Sequence, residues 1–360
     1  MTMFSLGRPD AHQLVPAFRV NVNGSPLPPR AVADLISATV HEDVAAPSMF
    51  TLRLINWDMQ RLRVTWADDD LFSEGDQVTV QMGYVDQLAP LITGEITGLE
   101  PEFVADEVPT LLVRGYDRRH RLMRSRNTRS FTQVKDSDIA AQIAATVGLT
   151  ARVEDSGVTH SYVLQHNQTD LEFLQERAAR IGYEVVVEDR TLFFRPHQHT
   201  SASLLTLRLD RDLIEFYPRL TTMSQVGQVT VRGWNPQEKQ SIIGQAGGGD
   251  QRGMMGGLTG GPAASNSAFG SASAASVEQP VFSQAEADQI ARGRFNEMAL
   301  AYISGDGVAV GRTDLRAGTV VTIEGLGRRF SGQYYIGSAT HSYSPQQGYR
   351  TAFTVRRNAT

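Results

Sequence analysis

Apolar and polar residues alternate in short runs through the first third of the chain. Phe18-Arg19-Val20-Asn21-Val22 alternates and stops at Asn23-Gly24, and the same pattern returns in Met49 to Ile55, Gln77 to Met82 and Thr110 to Arg114. A period of two gives each strand one apolar face. With Gly, Pro and Asp turns between the runs, the pattern predicts a barrel or sandwich from residue 18 to about 117. Pro26-Leu27-Pro28-Pro29 reads as a rigid turn or edge cover. Near residue 130 the period changes. Ile139, Ile143 and Val147 recur at four-residue steps, with Asp136 or Ser137 as a cap and Gly148 as the stop. A second helix opens at Thr169-x-x-Glu172, a capping box in which the Thr oxygen takes one orphan amide and the Glu takes another. Leu171, Leu174, Ala178 and Ile181 line its apolar face, and Gly182 ends it. Glu184 to Asp189 and Thr191 to Phe194 then predict a tight hairpin. The segment 130–196 is therefore expected to be a small α/β unit.

Residues 204–243 return to the strand pattern, with Val229-Thr230-Val231 leading to Trp234. From Gly244 to Gly270 there are ten glycines in 27 residues, and Ala and Ser follow. Such a stretch buries too little apolar surface to offset its ordering entropy, which predicts a flexible loop over 244–279, or one that orders only against a neighbour. Ser283-x-x-Glu286 opens a further helix over 283–304, with Ala291, Phe295, Met298 and Tyr302 on one stripe, and strands follow from Val308 to Arg357. The expected division is a first β-barrel over 1–125, an α/β insertion over 126–200, and a second β-barrel over 201–360 split by the Gly-rich loop and the helix.

The two β regions share a pattern. The first reads Gly75-x-x-Val78-Thr79-Val80, then Gly94, then Val113-Arg114; the second reads Gly318-x-x-Val321-Thr322-Ile323, then Gly337, then Val355-Arg356. The two glycines of each copy stand 19 residues apart (94−75 and 337−318), and the step to the Val-Arg pair is 19 in one and 18 in the other. Internal repeats point to repeated structural units. A chain with two copies of one β module makes six equivalent units from three subunits.

Composition removes several classes of function. The 360 residues hold no cysteine, which excludes disulfides and thiolate metal sites. A net charge of −5 argues against a nucleic-acid surface. No apolar run approaches the ~18–20 residues that cross a bilayer, and Met1 to Val15 lack the basic start and apolar block of a secretory leader. Candidate chemistry is sparse. Two His at i, i+2 would share a face on a strand, but His197 and His199 follow Pro196 in an expected linker and no third metal ligand is signalled nearby. Asp68-Asp69-Asp70 reads as a solvated turn, since a calcium loop wants alternating ligands and a closing Glu. Gly305-Asp306-Gly307 and Gly325-Leu326-Gly327 are too short for phosphate cradles and read as hairpin turns. Neither Gly-x-Ser-x-Gly nor His-Glu-x-x-His occurs, and nothing singles out a glycosidase pair among the 39 acidic residues. No cofactor, metal or catalytic site is expected, and the chain is read as a non-enzyme.

Asn167-x-Thr169-Asp170-Leu171-x-Phe173-Leu174-x-x-Arg177-x-x-x-Ile181-Gly182-Tyr183, with Leu192-x-Phe194-Arg195-Pro196 after it, resembles the signature of the phage late control protein D family. These are baseplate hub proteins of contractile tails, related to the N-terminal hub part of VgrG spikes. Gly332-x-Tyr334-x-Ile336-x-x-x-x-His341, with Gly348-Tyr349-x-Thr351-x-Phe353-x-Val355-Arg356-Arg357, resembles the family's closing hairpin. The resemblance implies two similar tube-type barrels around an α/β insertion. It also implies a homotrimeric ring with pseudo-sixfold symmetry, which seats a threefold spike beneath a sixfold tail tube and leaves an axial channel. The implied partners are a separate spike protein, the tail tube protein or its initiator, and other baseplate proteins, with no stable nucleic-acid binding and no membrane insertion. The particle would be a phage tail, a tailocin or an extracellular injection system, assembled from protein made in the bacterial cytoplasm. Gln175 stands where the family pattern has Arg, and the chain stops at Thr360, which implies that the OB-fold and β-helix of VgrG lie on another chain. The anchoring positions expected in the two barrels are Gly75, Val78 and Val80, and Gly318, Val321, Ile323 and Gly337. Those expected in the insertion are Thr169, Phe173, Leu174, Gly182 and Tyr183, and those in the closing hairpin Gly348 and Tyr349. Separately, Val134-Lys135-Asp136-Ser137-Asp138-Ile139-Ala140 with Gly148-Leu149 resembles the start of a LysM module, whose implication is a peptidoglycan-binding cell-wall protein.

Overall fold

A computed structural model describes residues 15–85, 87–203, 205–209, 211–235, 238–277 and 280–360. The N-terminal stretch read for a leader lies, Val15 apart, outside the described residues. The chain is mainly β. Strands β1 (Pro16–Val22), β2 (Leu35–Asp43), β3 (Met49–Ile55), β4 (Gln77–Tyr84), β5 (Gln87–Glu102) and β6 (Thr110–Tyr116) make a first module. Its core is the alternate-residue face that the period of two specifies: Val20 and Val22, Val40, Phe50, Leu52 and Leu54, Val78 and Val80, Leu111 and Val113.

Next come β7 (Arg126–Lys135), α1 (Asp136–Thr146), β8 (Thr150–Val153), β9 (Thr159–Thr169), α2 (Asp170–Ile181), β10 (Tyr183–Glu188) and β11 (Thr191–Pro196). β7 and β9 pair antiparallel, and β8, β11 and β10 form a separate three-stranded sheet. The capping box forms: Thr169 Oγ1 accepts from the Glu172 amide at 3.1 Å, and the Thr169 amide donates to Glu172 Oε2 at 2.9 Å. Gly182 closes α2 at φ 71°. Asp136 is the first residue inside α1 rather than its cap, and its carboxylate is buried against Arg177.

The second module comprises β12 (Leu205–Arg208), β13 (Leu213–Leu220), β14 (Gln228–Asn235), β15 (Gln240–Gly247), α3 (Gly261–Phe269), β16 (Ser273–Ser276), α4 (Gln284–Leu300), β17 (Ile303–Val310), β18 (Val320–Glu324), β19 (Gly332–Ser344) and β20 (Gly348–Arg357). In space the first module runs β1-β4-β5-β6-β3-β2, and the second runs β12-β18-β19-β20-β17-β13. Read in chain order, the six strands take the same places in both. One difference stands out: β1 lies antiparallel to β4, whereas β12 lies parallel to β18.

Three expectations need correction. The stretch 244–279 is not a structureless loop, because it carries the end of β15, α3 and β16. Its glycines permit close approach instead: a Cβ on Gly244 would stand 2.2 Å from the Ala287 backbone of α4, and one on Gly261 would stand 2.6 Å from the Tyr302 side chain. Around it, α4 lies over β14 and β15, and these three elements share a separate core of Val229, Val231, Ile242, Ala246, Ala287, Ile290 and Phe295. Second, α4 ends at Leu300 and β17 begins at Ile303, so Tyr302 lies past the helix. Third, Gly305-Asp306-Gly307 is no turn. It lies within β17, where the Phe216 and Phe353 rings occupy the space a Cβ would need.

The two modules are not separate bodies. The edge strand β2 of the first pairs antiparallel with β19 of the second, from Ser338↔Asp43 to Tyr343↔Ala38, so a single 13-stranded sheet (Ser25–Pro26 included) runs through both.

Candidate functional site

Gly75 and Gly318 precede β4 and β18 with φ 91° and φ 81°. The Gly75 amide donates to the Ile96 carbonyl at 2.8 Å, and the Ile96 amide returns to the Asp76 carbonyl at 2.9 Å. In the second module the Gly318 amide donates to Ile336 at 2.8 Å, and Ile336 returns to Thr319 at 2.9 Å. Directly after each, the register slips by one residue, between Ile96 and Gly98 and between Ile336 and Ser338. Val78, Val80, Val321 and Ile323 then point into their cores. The later halves of the two sequence patterns do not superpose. Val78 faces Gly94, but Val321 faces Tyr334. Gly337 sits in the bulge, where the first module has Thr97. Equal spacing in sequence thus matched positions three residues apart in structure, because the run from the glycine to its bulge partner is 18 residues in the second module (336−318) and 21 in the first (96−75).

Thr169, Phe173, Leu174, Gly182 and Tyr183 gather in the insertion, where the Tyr183 hydroxyl donates to the Asp155 carbonyl at 3.0 Å. Gly182 also touches α4: its Cβ would meet Gly293 Cα at 3.4 Å, and a Cβ on Gly293 would stand 2.8 Å from the Arg180 carbonyl. Gly348 turns the last hairpin at φ 69°, and Tyr349 is buried not in its own module but in the core of the first. Beside it the Tyr343 ring packs tilted against Phe18, with centroids 4.7 Å apart.

Polar networks join these bodies. Glu42 of β2 takes the guanidinium of Arg316, which also donates to the carbonyls of Leu91 at 2.6 Å and Pro90 at 3.2 Å. Glu95 of β5 accepts from Arg118 at 3.2 Å, from Arg121 at 2.9 Å and from His120 at 2.8 Å, joining the first module to the turn that leads into the insertion. Burial works to raise its carboxyl, but Arg121 and His120 outweigh that and hold it at about 2. On the other side, Glu184 of β10 accepts from the Tyr335 hydroxyl at 2.6 Å and from Arg195 at 2.9 Å. Burial again opposes its ionisation, and His197, Tyr335 and Arg195 together keep it below the ordinary carboxylate range. Inside the insertion Arg177 holds Asp136 with bonds of 2.6 and 3.0 Å.

These carboxylates are saturated by donors, which suits bracing rather than proton transfer. His341 is buried and its Nδ1 lies 2.8 Å from the Tyr349 hydroxyl; burial depresses it to about 3, so it stays neutral at physiological pH. His197 and His199 flank the Tyr335 ring at 6.1 and 6.5 Å, with His197 Nδ1 3.3 Å from Glu184 and His199 Nε2 3.2 Å from the Arg252 carbonyl. Among the described residues no three His, Cys, Asp or Glu side chains converge as metal ligands. Asp68 to Asp70 are exposed, and the Asp69 carboxylate accepts from the Leu71 amide at 2.9 Å. Gln175, the departure from the family pattern, donates to the Ala45 carbonyl at 2.6 Å, an interdomain bond. Among the described residues no helix is long and apolar enough to cross a membrane.

The model of the family described as Alg8 N-terminal domain matches residues 12–344. The chain belongs to this family. No curated protein matches. Among solved structures, it is similar to the 43 kDa tail protein of prophage MuSo2 from Shewanella oneidensis, with 14% identity, a TM-score of 0.69, and 95% of this chain and 98% of that one covered. It is also similar to the tail protein from Neisseria meningitidis MC58, at 13% identity and a TM-score of 0.66, covering 95% and 96%. A third is the E. coli c3393 protein, described as a component of the type VI secretion system with structural similarity to T4 bacteriophage tail proteins gp27 and gp5. There the identity is 14% and the TM-score 0.57, with 94% of this chain and 77% of that one covered. At these identities the likeness establishes a shared fold, that of phage tail and secretion-system proteins. Sequence reasoning missed Glu42 and Arg316, which lie 274 residues apart with no local signal, and the placement of Tyr349 in the other module's core.

Proposed function

We propose that this protein is the baseplate hub of a contractile phage tail, tailocin or injection system: a homotrimer that adapts a threefold spike to a sixfold tail tube around an axial channel. The observation that carries the reading is the duplicated module. Two six-strand units of one topology, joined edge to edge in one chain, are what a trimer needs to present six equivalent units. The tail-protein fold and the late control protein D-like residues Thr169, Phe173, Leu174, Gly182 and Tyr183 support the same role. The insertion is a brace in this reading, tied to the first module through Glu95 and to the second through Glu184. The apolar strand faces at Val78, Val80, Val321 and Ile323 give each barrel its rigidity. The spike, the tube protein or its initiator, and other baseplate proteins are the partners. The work is mechanical, and the protein is not an enzyme.

Electron microscopy of the purified protein, alone and with the candidate spike from the same gene neighbourhood, tests this. Rings with threefold symmetry, two lobes per subunit and an axial hole are expected. A chain that stays monomeric and ignores the spike overturns the hub assignment, and binding of peptidoglycan by the LysM-like segment would then be the next property to assay.

A further inference from the structure

The strap that follows β15, residues 250–257, holds one side chain against the preference of its backbone. Met255 and Gly256 are the central residues of a turn closed by the Gly257 amide on the Met254 carbonyl at 2.7 Å. Both have positive φ, 39° at Met255 and 74° at Gly256. A turn of this kind favours Asn or Gly at its first central position, because a bulkier side chain crowds the left-handed backbone. Met255 stands there with its side chain buried against Leu300 of α4, Val320 of β18 and Tyr335 of β19. Val44, which follows β2 of the first module, packs beside them. An unbranched thioether suits an irregular seat made by three separate bodies.

The strap is tied by polar bonds at its start. The Arg252 amide donates to Asn296 Oδ1 at 2.6 Å, His199 Nε2 lies 3.2 Å from the Arg252 carbonyl, and Asn358 donates to the Gly253 carbonyl at 2.9 Å. At the tip, Gly253, Gly256 and Gly257 bring no side chain, and Met255 is the buried one. Its seat is also the wall of a larger space. Val44, Leu300 and Tyr335 line a cavity of about 530 Å³, with Tyr183 and Val185 of the insertion on its other side. The Tyr335 hydroxyl is the donor to Glu184 that ties the insertion to the second module. What fills the seat therefore bears on Tyr335, and through it on that tie.

We infer that Met255 is an oxidation-sensitive latch: hydrogen peroxide converts its thioether to the sulfoxide, the sulfoxide leaves the seat, and the freed strap loosens the hold of Tyr335 on Glu184. The sulfur gains one oxygen atom and gives up two electrons; the peroxide O–O bond breaks, and its other oxygen leaves as water. The new S=O group is a strong acceptor, and the seat offers it no donor. Leu300, Val320 and Val44 are aliphatic, and the Tyr335 hydroxyl already donates to Glu184. Leaving the seat also releases the left-handed turn, so backbone and side chain then favour the same open state. Because Met255 is buried, its sulfur reacts only while the strap is open, and its oxidation rate reports that local opening. Two kinds of methionine bracket it. Met223 and Met59 are exposed, whereas Met82 is sealed in the core of the first module and reacts only when that module unfolds.

Peroxide treatment, read by peptide mass spectrometry and amide hydrogen exchange, tests the latch. Met223 and Met59 should oxidise first, Met255 next while the chain still melts cooperatively, and Met82 last. Once Met255 is oxidised, exchange over 250–258 and around Tyr335 should rise at least tenfold. Methionine sulfoxide reductase, which needs an exposed sulfoxide, should reverse the change. Met255→Leu fills the seat without a sulfur, so peroxide should leave its strap closed even though the other methionines oxidise. Met255→Gln, with a polar group of similar length, should show the raised exchange with no oxidant. Met255 staying reduced for as long as Met82 would overturn the proposal. So would a strap whose exchange is unchanged by oxidation of Met255, or one that opens under peroxide equally in Met255→Leu.

Discussion

The two modules are built on one plan but end differently. The hairpin β19–β20 reaches across to the other module and buries Tyr349 there, while the equivalent hairpin β5–β6 ends in solvent with Phe103 exposed. The same strand order therefore yields one satisfied end and one unsatisfied end. A duplicated module within a chain covers its own edge and hairpin tip only once, so the second tip keeps Phe103, Val104 and Val108 exposed.

The sharpest way to break this comparison is to remove what the second hairpin buries. Tyr349→Ala should cost about 3–5 kcal/mol in thermal or denaturant unfolding, the usual range for emptying an aromatic site in a core. A change below 1 kcal/mol would mean that the modules hold together without it. Next in size is a pH effect confined to the same hairpin. His341 has an ordinary value of 6.5 and is pushed to about 3 by burial. Between those values the unfolded chain binds a proton that the folded chain does not. Stability therefore falls as pH drops from 6.5 towards 3, by up to about 1.4 kcal/mol per pH unit, and is unaffected above that window. His341→Asn should flatten this part of the profile; an unchanged slope would show that other groups set it. The first module has Pro101 at the equivalent place and contributes no such term.

Gly182→Val should cost about 1–2 kcal/mol from the left-handed backbone alone, with a further loss from crowding Gly293. An unchanged melting temperature would argue that α2 and α4 tolerate separation. The smallest effect is expected at Phe103→Ala. It should lie within about 0.5 kcal/mol of the parent in thermal unfolding, because the ring is mostly exposed. A large loss of monomer stability would mean that the tip is not free.

Much of the local structure was legible in the chain. The period of two placed Val20, Val78, Val80 and Val113 in a core, and the Thr169–Glu172 box with Gly182 fixed both ends of α2. These features read well because their causes lie within a few residues. Gly75 and Gly318 were visible only as a repeat; that both turn the chain at positive φ came from the structure. The Gly-rich stretch misled because composition reports how much apolar surface a segment carries but not how closely another helix needs to approach it. Gly244 beneath Ala287 is a packing requirement set by residues more than forty positions away.

The sequence by itself determined the strand pattern, the caps, the lack of any thiol chemistry and the presence of two related β units. Tertiary structure alone decided that β2 pairs with β19, that Glu42 meets Arg316, and that one module's hairpin completes the other's core. Local patterns specify which face of a strand is apolar, but a backbone edge carries no residue-type label. Which edge it joins is settled only when the packed modules bring two strands into register in space.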